Sequence, residues 1–405
     1  MKSQTELIGT GTLTRESLAG QVAVVTGAGR GGGYQAAWAL AWLGARVCVA
    51  EIDRRTGQDA ARRIAADFGA DSATFCQTDV GDERGVARLA RHAERALGPV
   101  DIVLNNATIT PMGAVHDVPI ADWDASYRVN LRGPVLLARA FLPGMLRRDR
   151  GVFCCVSSVG QAYMGAYESF KAAQVHLAQT LDAELEGTGV VAFTIGPGLV
   201  RTPGAEAGIA ALAPLYNKTV EEFYAMSQEH IISAEAAGAG FAAAIALAER
   251  FRGEELASIQ ALNAAGIALA GREKAPAPEL DEEERARALA LVRSVRVTLA
   301  EQAEGWQERP LFERQWVIRD FKKQAGASVE QWLQTLEGLE QSLAAAGPAA
   351  MPPAAAPVDR LARYYAHLQE LAASYEKDPV KLQEQLAIVR AWEDEAKELH
   401  ALLTH

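Results

Sequence analysis

From Gln21 to about Ala270 the chain alternates short β-branched runs with longer helical patterns, and this alternation constrains the fold more than any other feature. Parallel strands cannot be joined by tight hairpins, so each needs a crossover of a dozen or more residues, normally a right-handed helix. The strand candidates are Val22–Thr26, Arg46–Glu51, Ala73–Thr78, Ile102–Asn105, Val152–Ser157, Val190–Ile195 and Ser258–Leu262. Helical patterns lie between them at Tyr34–Leu43, Gly57–Phe68, Glu83–Ala96, Trp123–Arg148, Tyr167–Leu185 and Ala234–Glu249. The expected architecture is α/β, a doubly wound parallel seven-stranded sheet occupying residues 20–272.

Strand signal then ends. The stretch Lys274–Pro278 (Lys-Ala-Pro-Ala-Pro) is a stiff polar break, and residues 273–405 are expected to form an all-α C-terminal extension. Val329, Trp332, Leu333, Leu336 and Leu343 recur at helical spacing behind a Ser328–Gln331 capping box. Leu361, Tyr364, Tyr365, Leu368 and Leu371 make a further stripe beyond an Ala/Pro linker at residues 344–357, and Asp378-Pro379 opens another helix. Trp306, Trp316, Trp332 and Trp392 offer large apolar area, so the extension is expected to mediate self-association or to cover an active-site entrance.

Charge and composition exclude several classes of partner. A formal net charge of −11 disfavours nucleic acid and anionic membranes, whose phosphates need clustered Lys and Arg. Cys48, Cys76, Cys154 and Cys155 lie in strand-like runs without metal-ligand or secreted-disulfide spacing and read as free buried thiols. The tail 1–19 lacks the apolar core of a signal peptide, and Ala236–Ala248 is too short to span a bilayer. A cytoplasmic protein is expected.

The first strand runs through Thr26-Gly27-Ala28-Gly29-Arg30-Gly31-Gly32-Gly33 directly into a helical pattern. Glycines at a strand-to-helix turn let phosphates approach backbone N–H groups at a partly positive helix N-terminus, which is the chemistry of pyrophosphate binding in a Rossmann fold. Gly27, Gly29, Arg30, Gly31 and Gly33 are therefore candidate cofactor contacts. Glu51, eighteen residues beyond Gly33 at the end of the second strand, is placed to accept from the adenosine ribose hydroxyls and to repel a 2′-phosphate. NAD is thus favoured over NADP, while Arg30, Arg54 and Arg55 either contact a 2′-phosphate or are solvated surface residues.

Tyr167 and Lys171 lie one helical turn apart on one face, so the ammonium can sit near the phenol. A nearby cation favours phenolate and lowers a pKa that is ordinarily about 10, which makes Tyr167 a candidate general acid/base.

With Thr26–Gly33, Asn105-Asn106-Ala107, Asn130, Ser158, Tyr167–Lys171 and Pro197-Gly198 with Thr202, in that order, residues from about Leu18 to Gly271 resemble the short-chain dehydrogenase/reductase family. The resemblance implies an NAD(P)-dependent oxidoreductase that interconverts a secondary alcohol and a ketone, acting on a small-molecule substrate as a homo-oligomer, dimer or tetramer. It implies that Lys171 also holds the nicotinamide ribose, that Ser158 hydrogen-bonds the substrate oxygen, and that Asn130 helps anchor a proton-relay water. It further implies that Asp79 and Val80 flank the adenine and that Asn106 and Ala107 line the cofactor. Pro197 and Gly198 turn the chain, and Val200 with Thr202 meets the carboxamide.

Two positions depart from the family pattern. Thr108 stands where the family usually has glycine, and only nine residues separate Ser158 from Tyr167, a shortened loop that leaves Ser157 or Ser169 as alternative partners of the substrate. The segment Gly204–Ile232 is either a mobile lid or a pair of packed helices. The rival function is a dinucleotide-binding assembly or sensing module whose shortened loop has impaired catalysis.

Overall fold

The computed structural model describes residues 7–158, 160, 162–226, 231–269, 280–326, 328–344, 358–375 and 378–404. The strands among them are β1 (Val22–Thr26), β2 (Arg46–Glu51), β3 (Ala73–Gln77), β4 (Ile102–Asn105), β5 (Gly151–Val156), β6 (Val190–Gly196), β7 (Leu199–Val200), β8 (Ile231–Ile232) and β9 (Glu255–Ala257). Seven of them form one parallel sheet in the order β3-β2-β1-β4-β5-β6-β9, and β7 pairs with β8 separately. Strand order reverses between β1 and β4, which opens a crevice at the carboxyl ends of those strands.

Helices α1 (Gly31–Trp42), α2 (Arg54–Phe68), α3 (Glu83–Leu97), α4 (Ile120–Tyr127), α5 (Gly133–Arg147), α6 (Gly165–Glu184), α7 (Pro203–Leu212), α8 (Val220–Met226), α9 (Ala234–Ala246) and α10 (Ser258–Ala264) complete this unit. Alternation within β1 shows why both sheet faces are covered. Ala23 and Val25 enter a core with α1 and α9, whereas Val22 and Val24 enter one with α3 and α5. All four cysteines are free; Cys48, Cys154 and Cys155 are buried and Cys76 is half-buried. No helix among the described residues is long and apolar enough to cross a membrane.

Three sequence expectations need correction. Ser258–Leu262, expected as the last strand, is helical, and the edge strand is the preceding Glu255–Ala257. Ser258, Ala261, Leu262 and Ala265 are buried at helical spacing, and Gln260 Oε1 accepts from the Ala257 N–H at 2.7 Å to close the helix start. The single helix expected over Trp123–Arg148 is broken by a π-helical turn at Arg128–Arg132. Pro134 has no N–H to give the Asn130 carbonyl, so the α-helical ladder cannot run through this point. From Leu7 onward the supposed tail is packed: Ile8 and Leu18 join the core, and the Thr12 N–H donates to Ala265 O at 2.8 Å.

The chain divides into two compact units, Met1–Arg272 and Glu273–His405. The second contains α11 (Glu282–Gln307), α12 (Leu311–Ala325), α13 (Val329–Ala344), α14 (Val358–Tyr375) and α15 (Pro379–Thr404). It has its own core, in which Trp306, Phe321, Trp332, Leu336, Tyr364 and Tyr365 are buried. α11 packs on both α13 and α15, while α14 packs on α12 and α15. The expected linker at 274–278 lies outside the described residues, as does the one at 344–357 except for Ala344, which ends α13.

Candidate active site

The glycine turn joins β1 to α1 and holds two left-handed residues, Gly27 at φ +62° and Gly31 at φ +58°. Each side of the turn faces an expected partner. A Cβ on Gly27 would meet Ala107 Cα at 2.9 Å, and one on Gly33 would meet Gly27 O at 2.3 Å and Asn106 Nδ2 at 2.4 Å. A Cβ on Gly29 would meet the Glu51 side chain at 2.8 Å, and one on Gly31 would meet Thr202 Cγ2 at 3.3 Å. Asn106 stitches the cradle together, its Nδ2 donating to Thr26 O at 3.0 Å and Gly27 O at 3.1 Å. Thr26 Oγ1 accepts from the N–H groups of Asn106 and Ala107.

Glu51 is half-buried at the end of β2. Its carboxylate accepts from Gly29 N–H at 3.0 Å, Ile52 N–H at 2.9 Å and Asp53 N–H at 3.2 Å, so a fixed negative charge stands at the edge of the turn. Arg30, Arg54 and Arg55 are exposed, and Arg54 donates to Gln77. Thr202 caps α7, accepting from Ala205 N–H at 3.2 Å, while Gly198 at φ +80° turns the chain between Pro197 and the buried Val200. Asp79 and Val80 follow β3. Asp79 pairs with Arg128 at 3.3 Å and accepts from Gly81 N–H, and Val80 packs against Gly133.

Helix α6 carries the reactive pair. Tyr167, Lys171, Gln174, Ala178 and Leu181 form its buried stripe, so the phenol and ammonium face the sheet because the helix docks by that face. Lys171 Nζ lies 5.7 Å from the centre of the Tyr167 ring and donates to Val156 O at 2.7 Å. Burial pulls the Lys171 pKa down to about 8. Burial also pushes the Tyr167 phenol up to about 12, against the Ser158 and Thr108 hydroxyls, whose hydrogen bonds favour the ionised form. The expected lowering of the phenol by Lys171 is not among the causes of this shift, and the Glu168 carboxylate adds to desolvation in raising it. What offsets desolvation is the pair of hydroxyls.

Ser158, at the end of β5, is the serine at the phenol; Ser157 Oγ is buried beside Gly196 and makes no hydrogen bond. Thr108 fills a role that its departure from the family pattern did not reveal, since it faces Tyr167 and donates to Asn130 Oδ1 at 2.8 Å. Every polar atom of the Asn130 side chain is bonded to protein. Oδ1 also accepts from Ile109 N–H at 3.2 Å, while Nδ2 donates to Ile109 O at 2.8 Å and Ser126 Oγ at 2.9 Å. The Asn130 carbonyl, left without its helical donor by Pro134, accepts from Gln174 Nε2, and Gln174 Oε1 accepts from Asn105 Nδ2.

Sequence reasoning missed Gln174, and also Glu168, whose carboxylate accepts from the Ser158 hydroxyl. The signal for Gln174 was its place three residues after Lys171 on an otherwise apolar buried stripe; Glu168 gave none beyond its adjacency to Tyr167. The segment Gly204–Ile232 is in part a packed cluster. Ile209, Leu212, Ala213, Phe223 and Tyr224 form a small core with Tyr163, Met164 and Tyr216, and residues 227–230 lie outside the described residues.

A glycine turn at the switch point of a doubly wound sheet, with a buried Tyr–Lys pair beside it, defines a Rossmann-fold oxidoreductase. A family model for short chain dehydrogenase matches residues 21–211. An uncharacterized oxidoreductase of Thermotoga maritima is 33% identical over 190 residues, 46% of this chain and 73% of that one. A short chain dehydrogenase of Pseudocercospora fijiensis is 37% identical over 192 residues, 46% of this chain, and the match spans 61% of the relative's length. A solved short chain dehydrogenase/reductase family protein, 31% identical, aligns with TM-score 0.50 over 60% of this chain and 96% of its own. An NAD+-bound xylitol dehydrogenase shares the fold at TM-score 0.55 and 22% identity, over 59% of this chain and 98% of its own. The chain belongs to the short-chain dehydrogenase/reductase family.

Proposed function

We propose that the Met1–Arg272 unit binds a nicotinamide dinucleotide, NAD in preference to NADP, and interconverts a secondary alcohol and a ketone. The observation that carries this reading is the buried pair Tyr167 and Lys171 with the half-buried Ser158 and the exposed Thr108 beside the phenol, adjoining the glycine turn through the Asn105–Ile109 loop. The turn fits a pyrophosphate because its glycines allow positive φ and packing too tight for any Cβ, and no side chain among the described residues caps the N–H groups at the start of α1. Gly27, Gly29, Gly31 and Gly33 would hold the phosphates, with Arg30 at their solvent edge, and Asn106, Ala107, Val200 and Thr202 would border the rest. Glu51 supports NAD, since a 2′-phosphate would meet a carboxylate already fixed by three N–H groups. When bound, the dinucleotide supplies a hydride acceptor or donor.

The chain's own residues handle the proton. Tyr167 phenolate takes the alcohol proton, and the Ser158 and Thr108 hydroxyls stabilise the phenolate. Lys171 Nζ lies 5.7 Å from the ring centre, and Asn130 holds the Thr108–Ile109 loop in place. Tyr167→Phe removes the proton acceptor while keeping the ring. Turnover of secondary alcohols is expected to fall by about 10²–10⁴-fold, with NAD affinity, followed by fluorescence titration, little changed. Full activity in that variant would overturn the reading.

A further inference from the structure

Gln174 is 0% exposed, and both ends of its amide are bonded. It shares the buried stripe of α6 with Tyr167 and Lys171, three residues beyond the lysine. The Asn130 carbonyl is an acceptor only, so the NH2 of Gln174 must face it. Gln174 Oε1 is thereby turned to the Asn105 amide, from which it accepts at 3.3 Å, and the same Nδ2 reaches Cys155 Sγ at 3.7 Å. An apolar side chain of this size would fill the position without burying an amide. What the polar group adds is direction.

The two partners of Gln174 hold the two ends of one loop. Asn105 ends β4 and starts the Asn105–Ile109 stretch, whose Asn106 and Ala107 border the glycine turn. Asn106 is fixed there by its own bonds to Thr26 and Gly27. The far end depends on Asn130, whose Oδ1 accepts from Thr108 Oγ1 at 2.8 Å and Ile109 N–H at 3.2 Å, and whose Nδ2 donates to Ile109 O at 2.8 Å. Asn130 in turn stands in the π-helical turn, where Pro134 withholds the α-helical donor and leaves the carbonyl to Gln174. Gln174, Asn105, the loop and Asn130 thus close a ring of hydrogen bonds on the helix that carries the Tyr–Lys pair.

We propose that Gln174 is a positioning residue for the reaction: through Asn130 and Asn105 it holds Thr108 and Ile109 in register with Tyr167 and Lys171 on α6. It acts through those residues and takes no proton itself. Its NH2 occupies one lone pair of the Asn130 carbonyl and leaves the second for a further donor. Displacement of a reacting group by 1 Å costs rate on the order of 10²-fold, and a loop tied at both ends to the catalytic helix does not shift independently of it. The proposal rests on Tyr167 being the acid/base.

The test compares Gln174→Leu, which keeps the bulk and removes both bonds, with Gln174→Glu in the full chain. Methyl NMR follows Thr108 and Ile109, assigned by the loss of their signals in Thr108→Ser and Ile109→Val, with Ile64, buried on α2, as the control. In Gln174→Leu the Thr108 and Ile109 methyl resonances are expected to shift while Ile64 stays in place. Unmoved loop methyls, or a displacement that Ile64 shares, would overturn the proposal. With NAD and cyclohexanol, Gln174→Leu is expected to lower kcat by about tenfold or more and to change KM for NAD by less than about twofold, because Asn106 keeps its own bonds. Full kcat beside displaced loop methyls shows a structural role only and sinks the idea. The neutral carboxylic acid of Gln174→Glu offers the same donor and acceptor, whereas its carboxylate has no proton for the Asn130 carbonyl. In cyclohexanone reduction with NADH, turnover of Gln174→Glu relative to the unsubstituted chain is therefore expected to rise as pH falls from about 8 to about 6, while that of Gln174→Leu stays low. Parallel profiles for the two variants count against the positioning role. The methyl readout needs no turnover, so it stands apart from the alcohol–ketone reading, which fails if Tyr167→Phe keeps its activity.

Discussion

Lys171 is 1% exposed, and its pKa falls to about 8 because burial disfavours the ammonium. In the unfolded chain the same lysine keeps its proton to about pH 10.4. Between these limits the unfolded state binds more protons, so stability rises with pH across that window, and below about pH 8 the full penalty, on the order of 3 kcal/mol, is present. Tyr167 acts in the opposite sense at higher pH. Its phenol, pushed to about 12, stays protonated in the folded state after the unfolded chain has ionised near 10, so stability falls there. The stability of the full chain relative to Lys171→Met is therefore expected to rise by roughly 2–3 kcal/mol between about pH 7.5 and about pH 10. Urea unfolding at a series of pH values measures it, and a difference independent of pH would show that the lysine is not held in its neutral form. The Tyr–Lys spacing was readable because helical geometry fixes it. The balance between burial and charge was not, because desolvation depends on what packs over α6.

Two glycines in helices separate packing from propensity. Gly238 in α9 lies against α1, and a Cβ there would come within 2.5 Å of Ala36 N, while Gly338 in α13 has nothing within 4 Å of that position. Gly338→Ala is expected to stabilise its unit by up to about 1 kcal/mol through helix propensity. Gly238→Ala is expected to destabilise its own unit by about 1–3 kcal/mol, because backbone cannot yield as a flexible side chain would. Differential scanning calorimetry of the two full-length variants checks the signs, and a stabilised Gly238→Ala would mean that α1 and α9 do not approach this closely. The same contrast explains which elements were legible. Strands β1, β2 and β4 stand at their expected bounds because β-branched runs buried on both faces have few alternatives. Ser258–Leu262 failed because a short apolar run fits strand or helix equally until its partners are known. The break at Arg128–Arg132 was written in Pro134, but only the capture of the freed carbonyl by Gln174 shows what it does.

The second unit has the means to fold alone. Its apolar stripes close on one another: Trp332, Leu336 and Leu339 of α13 share a core with Val292, Val295 and Leu299 of α11, and Phe321 of α12 stacks edge-on against Tyr364 of α14 at 4.8 Å. Polar side chains around that core choose partners. Glu340 of α13 takes both Arg293 and Arg296 of α11, and Arg287 of α11 pairs with Glu398 of α15, so helix order is fixed by charge as well as by shape. The stripes themselves were legible at helical spacing; which stripe meets which was not, since spacing within a helix carries no information about its neighbour. A unit with a continuous core and its own ion pairs lies within the ordinary domain range of about 50–200 residues. A chain comprising residues 280–405 is therefore expected to be monodisperse, strongly helical by circular dichroism and cooperative in thermal unfolding. Its tryptophan emission is expected to be blue-shifted by the buried Trp306 and Trp332 despite the exposed Trp316. Red-shifted emission and a non-cooperative melt from that fragment would show that these helices need the rest of the chain to order them.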